Sequence, residues 1–188
     1  MESHELVRTR RFDHAQLMDQ VYQNQRHFYD LTRKWYLLGR DRVIDELASL
    51  PAETTVLEAG CGTARNLLRA TKLNPGLRCF GVDASTRMLE TATRQILKHG
   101  QSSRIAICQG DIVEFDPETD FGVRDFDQII CSYTLSMVPQ WRGALSHLID
   151  VLAPGGRIQI IDFGMQHGHT PAARKILRTW LRCFHVSP

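Results

Sequence analysis

At 188 residues the chain has room for one compact domain with a substantial core, and not for two independent ones. Hydrophobic residues make up 43% and charged residues 23%, ordinary globular usage without a low-complexity run, which argues against global disorder. A net charge of +2 is too weak to imply a nucleic-acid partner, and no apolar run approaches the roughly 20 residues of a bilayer crossing, so a cytoplasmic protein is expected.

The first fifty residues read as an N-terminal helical extension, two helices broken near Asp30 and rich in aromatics: Tyr22, Phe28, Tyr29, Trp35 and Tyr36. From about Thr54, short β-branched runs alternate with amphipathic stretches, the pattern of a parallel sheet covered on both faces. Strands are predicted near 54–58, 78–82, 104–108, 127–131 and 157–162. The first helix of this region is expected from about Thr63. A second starts at Ser85, a plausible N-cap, and buries Met88, Leu89, Ala92 and Ile96. A third follows Pro139, read as part of its first turn, with Trp141, Ala144, Leu145, Leu148, Ile149 and Leu152 on one face. Its exit, Ala153-Pro154-Gly155-Gly156, reads as a helix stop and a tight turn into the fifth strand. The fold class is therefore α/β, a Rossmann-like, doubly wound, mostly parallel sheet in a single domain, with 1–50 as a helical cap and 51–188 as the core.

The first strand runs into Glu58-Ala59-Gly60-Cys61-Gly62-Thr63-Ala64, where glycines let the backbone turn sharply and approach a ligand before a helix begins. A dinucleotide fingerprint would place its third glycine where this chain has Arg65, which disfavours a dehydrogenase. The run Glu-x-Gly-Cys-Gly-Thr resembles instead the first motif of class I methyltransferases, whose turn packs against the amino-acid portion of S-adenosylmethionine. The resemblance implies Glu58, Gly60 and Gly62 as cofactor contacts. Ala64 replaces the family's usual last glycine, and tolerance is expected because alanine is favoured at a helix start.

Asp83, which closes the second strand, is expected to accept both ribose hydroxyls, with Ala84 beside it among the cofactor contacts. After the third strand, Gln109-Gly110-Asp111-Ile112 is similar to the family's adenine motif, which implies that Asp111 accepts from the adenine amino group and Ile112 contributes a backbone N–H. Met88 reads equally as core or as a thioether cover for the adenine. After the fourth strand, Ser132 is expected near the cofactor and Tyr133 or Ser136 nearer the methyl acceptor.

A closer resemblance lies in the run 25–41, with Phe28, Tyr29, Trp35, Tyr36, Arg40 and Asp41, and in Ser132-Tyr133-Thr134-Leu135-Ser136-Met137-Val138-Pro139, Ile161-Asp162 and the stretch 180–186. These look similar to the BtaB-type methyltransferases of bacterial betaine-lipid synthesis. That likeness implies stepwise N-methylation of a diacylglyceryl-homoserine lipid amine, with Tyr36 and Arg40 closing over the cofactor and pairing its carboxylate; a solvated helix face is the other reading of this pair. Tyr29 and Tyr133 are the candidate catalytic aromatics, through cation–π contact with sulfonium and ammonium groups, against ordinary packing. The expected partner is an amine-bearing lipid or a small-molecule acceptor. Near the C-terminus, Ile176, Leu177, Trp180, Leu181 and Phe184 face away from Arg174, Arg178 and Arg182, a basic amphipathic helix that covers the sheet or touches an anionic membrane surface at its periphery. No metal is expected: His167 and His169 lack an evident third ligand, and the five cysteines read as small buried hydrophobes. The two further strands that normally finish this fold as a hairpin are not expected before Pro188. The competing readings are a small-molecule or quinone-type methyltransferase and a catalytically silent cofactor-binding protein.

Overall fold

The computed structural model describes residues 39–162. The calls on Tyr22, Tyr29, Tyr36, the histidine pair and the basic C-terminal helix lie outside the described residues. Five strands form one sheet: β1 (Thr55–Ala59), β2 (Arg78–Asp83), β3 (Ile105–Gln109), β4 (Phe126–Ser132) and β5 (Leu152–Ile161). The order is β3-β2-β1-β4-β5 and every pairing is parallel. The alternation read from the sequence is thus borne out, and the chain reverses its direction of travel between β1 and β4. That reversal opens a crevice at their carboxyl ends, where open α/β sheets hold their ligands.

Because successive strand side chains point to opposite faces, each strand feeds two cores. Val56, Cys79, Ile105 and Ile130 pack under α1 (Arg40–Glu46), α2 (Arg65–Leu73) and α3 (Thr86–Lys98), joined by Ile44, Leu67, Ala70, Leu89, Ala92 and Ile96. Leu57, Phe80, Val82, Ile129 and Cys131 pack on the other face with Phe115, Ala144 and Leu148, the last two from α5 (Trp141–Asp150). Here Phe80, Phe115 and Phe126 surround Phe121 of α4 (Pro117–Phe121) at centroid distances of 5.3 to 6.4 Å, all edge-on.

Three local expectations are corrected. Pro139 precedes the N-cap Gln140 instead of occupying the first turn of α5, and Trp141 and Ile149 face outward, so the buried stripe narrows to Ala144, Leu148 and Val151. The Pro154-Gly155-Gly156 stretch is an irregularity inside β5 rather than a turn before it, since Leu152 already pairs with Phe126 and the register shifts after that pair. A proline is tolerated where a strand bulges or lies at a sheet edge. The first-turn helix α2 starts at Arg65, and Ala64 is its N-cap with φ 59°, in the left-handed region. Alanine's helix preference therefore does not explain this position. Its methyl packs fully buried in the first core, away from the crevice.

Candidate functional site

The crevice is built by the segments that leave the carboxyl ends of β1, β2, β3 and β4. Gly60 and Gly62 both take positive φ, 75° and 53°. A Cβ on Gly60 would run into the Thr134 side chain, while one on Gly62 would meet open space. The turn is pinned from beneath: the Val82 carbonyl accepts from the N–H groups of Gly60 (2.8 Å) and Cys61 (3.0 Å), and Gly62 donates to Asp83 Oδ2 at 2.8 Å.

Asp83 is half-buried, and its other oxygen, Oδ1, accepts from Ser85 N at 2.9 Å. It therefore ties the glycine turn to the start of α3, where Ser85 Oγ caps Met88 N. Ala84 follows at the rim, its carbonyl accepting from Gln109 Nε2 at 3.3 Å. Met88 is buried yet belongs to neither apolar cluster. Ile112 is buried in the second core, and Asp111 Oδ1 accepts from Val113 N at 3.0 Å to shape the turn that carries both residues.

Glu58, the next-to-last residue of β1, is buried at 2% exposure. Asn66 Nδ2 donates to its Oε1 at 2.6 Å, whereas its Oε2 is buried with no hydrogen-bond partner among the described residues. Burial lifts this carboxyl to about 8 against the pull of Asn66, Arg40 and Arg65, with Asp83 adding to the rise. Arg40 is itself buried, so the solvated-face reading fails for it, and it acts electrostatically on both Glu58 and Tyr133. Its helix is held against α2 by Asp41–Arg65 (3.2 Å) and Asp45–Arg69 (2.6 Å), two ion pairs one turn apart.

Across the crevice, Tyr133 is buried with φ 57°, a left-handed conformation unusual for a large side chain, fixed by its N–H donating to the Ile161 carbonyl at 2.7 Å. Burial raises its phenol above the ordinary range. The hydroxyls of Ser132 and Ser136 are buried without a partner among the described residues, and Asp162 Oδ2 accepts from Ser136 N at 2.9 Å. The structure therefore brings Arg40, Glu58, Gly60, Gly62, Asp83, Ala84, Met88, Asp111, Ile112, Ser132 and Tyr133 to one end of the sheet. Sequence reasoning missed Asn66, Thr134 and Asp162. Asn66 was signalled only by an amide beside Leu67 and Ala70 on a helix face that should be apolar.

A family model described as a methyltransferase domain matches residues 50–183. The chain belongs to that family. Its domain is of the S-adenosylmethionine-dependent class, and the chain is similar to the 2-phytyl-1,4-naphtoquinone methyltransferase of Nostoc punctiforme, 29% identical over 163 residues covering 84% of this chain and 68% of that protein. Among solved structures, the YcgJ protein of Bacillus subtilis superimposes with a TM-score of 0.56 at 27% identity, over 65% of this chain and 50% of that one. The phosphoethanolamine N-methyltransferase 2 of Haemonchus contortus, solved with S-adenosylmethionine, shares the fold at TM-score 0.63 and 21% identity, over 78% of this chain and 32% of that one. The chain spans about half to two thirds of the length of the curated relatives it matches.

The methyltransferase domain's residues fit a cofactor with a cationic aminoacyl end and a ribose. Glu58 Oε2 is a buried oxygen with no partner among the described residues, Gly62 leaves open space above the turn, and Asp83 places a carboxylate at the rim. Among the described residues no cluster of three or more His, Cys, Asp or Glu side chains could hold a metal ion.

Proposed function

We propose that this protein transfers a methyl group from S-adenosylmethionine to the amine of a diacylglyceryl-homoserine lipid, in successive rounds that end in a trimethylated headgroup. The observation that carries the transferase half of this reading is the convergence of Glu58, the Gly60–Gly62 turn, Asp83 and Asp111 on the carboxyl edge of one parallel sheet. The lipid half rests on the likeness of the 25–41 and 132–139 runs to betaine-lipid methyltransferases. A quinone ring is the second acceptor reading, favoured by the name of the Nostoc relative.

The bound cofactor supplies an electrophilic methyl on a sulfonium. In this reading Glu58 and Arg40 receive the two charges of the aminoacyl end, Asp83 with Ala84 holds the ribose, and Asp111, Ile112 and Met88 enclose the adenine. Ser132 borders the cofactor and Tyr133 the acceptor, while Tyr29 and Tyr36, outside the described residues, keep the roles that the resemblance implies, Tyr29 with the acceptor and Tyr36 closing over the cofactor. Transfer between a sulfonium and a neutral amine needs alignment and exclusion of water rather than covalent help, so the buried, pinned backbone at Tyr133 contributes by holding its ring still. As the C–N bond forms the sulfur–methyl bond breaks; in the first two rounds the nitrogen then gives a proton to solvent, and in the third it ends quaternary with none to give.

Titration calorimetry with S-adenosylhomocysteine, then methyl-transfer assays on a homoserine lipid and on a naphthoquinone, tests both halves. Saturable binding with transfer to the lipid supports the proposal, transfer to the quinone alone replaces the acceptor, and no binding by folded protein rejects the cofactor. Asp83→Ala is expected to weaken S-adenosylhomocysteine at least about tenfold while circular dichroism stays native, since two charge-assisted acceptors are lost. Unchanged affinity would remove Asp83 from the site.

A further inference from the structure

Asn66 sits in the first turn of α2 at 6% exposure, beside Leu67 and Ala70, where an amide must find partners or destabilise the helix. Its Oδ1 accepts from Arg65 Nη1 at 3.4 Å, and Arg65 in turn reaches Asp41, so the amide is oriented with its nitrogen toward β1. That nitrogen donates to Glu58 Oε1 at 2.6 Å, and Oε2 is the carboxyl oxygen with no partner among the described residues. The charged and titratable groups facing Glu58 are Arg40 on α1, Arg65 on α2 and Asp83 on β2, with the thiols of Cys61, Cys79 and Cys131 around it. The cations and Asn66 favour the ionised carboxyl, and burial and Asp83 oppose it.

We infer that Asn66 is a positioning residue: by fixing Oε1 it presents Oε2 of Glu58 to the cationic end of the cofactor and helps Glu58 release its proton to solvent when that end arrives. This rests on the cofactor reading above. Binding then requires the ionised carboxyl, so apparent affinity scales with the fraction of the protein in which Glu58 is ionised. Losing the amide lowers that fraction further, because a hydrogen bond to the charged form favours it.

The test is calorimetric titration with S-adenosylhomocysteine between about pH 6 and 9, in buffers of different ionisation heat, on the full chain and on Asn66→Ala, Glu58→Gln and the double variant. Any titration of the ligand itself is common to all four proteins and cancels in their ratios. The native chain is expected to release a proton on binding near pH 7, and Glu58→Gln to release none. Asn66→Ala should bind about tenfold more weakly at neutral pH, one pK unit's worth, with the gap closing as pH rises. In the Glu58→Gln background it should add nothing. Asn66→Ser, a smaller disturbance whose hydroxyl cannot reach the carboxyl, should repeat the pH-dependent loss if the alanine variant folds poorly. A loss of equal size at every pH, or none, would overturn the role of Asn66 alone. Failure of the folded native chain to bind would overturn the cofactor reading and this role together.

Discussion

Ala64 stands where a glycine would be easier, at φ 59° and fully buried. The left-handed conformation costs an L-residue roughly 1–2 kcal/mol. Against that, a glycine would add about 0.4–1 kcal/mol of unfolded-chain entropy and forfeit about 0.8 kcal/mol of methyl burial. The terms nearly cancel, which explains why the position accepts alanine. Ala64→Gly should therefore lie within about 1 kcal/mol of the native protein in urea denaturation, whereas Ala64→Val, β-branched and overpacked, should cost several times more. A large gain from glycine would show that the methyl packs poorly. Gly60 has no such latitude, because there both the conformation and the Thr134 side chain oppose a Cβ.

At the level of elements, α3 was legible in full: Ser85 caps it and Met88, Leu89, Ala92 and Ile96 are the buried residues, as the spacing required. Local signals were strong there because cap and stripe agree. Ser85→Ala should cost about 1 kcal/mol, read as a shifted urea midpoint without a change in slope. An unchanged midpoint would mean that Asp83, whose Oδ1 already holds Ser85 N, supports the helix start without the hydroxyl. The short α4 was missed although its markers are present: Asp116 caps Glu118 N and Thr119 N, Pro117 opens the helix and Gly122 closes it at φ 67°. With only five residues it offers no apolar period to read. The α5 face was drawn too wide for the opposite reason, since periodicity marks every apolar residue and only packing decides which ones are covered. Trp141 instead lies under the Arg142 guanidinium at 4.3 Å, half in solvent.

For the whole molecule, the parallel sheet and the crevice at its carboxyl edge followed from the alternation of elements, and most site residues from their place just after a strand, whereas the order of the strands became visible only in the fold. What the sequence hid was contact between distant segments: Asn66 with Glu58, Gly60 with Thr134, Ser136 with Asp162. The burial of Glu58 at the first of those contacts has a consequence for global stability. The folded chain holds the Glu58 proton up to about pH 8, while the unfolded chain releases it near 4.5. Between those values the native state binds more protons than the unfolded one, so stability falls as pH rises through the window and levels off above 8. Glu58→Gln should abolish that slope, giving a melting temperature that gains on the native protein's as pH is raised from about 5 to 8. Parallel melting profiles for the two proteins would show that Glu58 stays ionised throughout.

The backbone donors of the β1–α2 turn carry one more implication. Gly60 and Cys61 give theirs to Val82, Gly62 gives its own to Asp83, and Ala64 bonds back to Cys61. A loop that cradles phosphate keeps such N–H groups pointing outward; this one has turned them inward and flanks itself with two carboxyl side chains, Glu58 and Asp83. ATP and NAD share the adenosine half of the methyl donor and are abundant competitors in any cell. On this chain their shared half would find the same walls, and their phosphates would meet a turn in which four of the five main-chain N–H groups from Gly60 to Ala64 are already given to protein acceptors, so the main chain itself offers a phosphate little to bind.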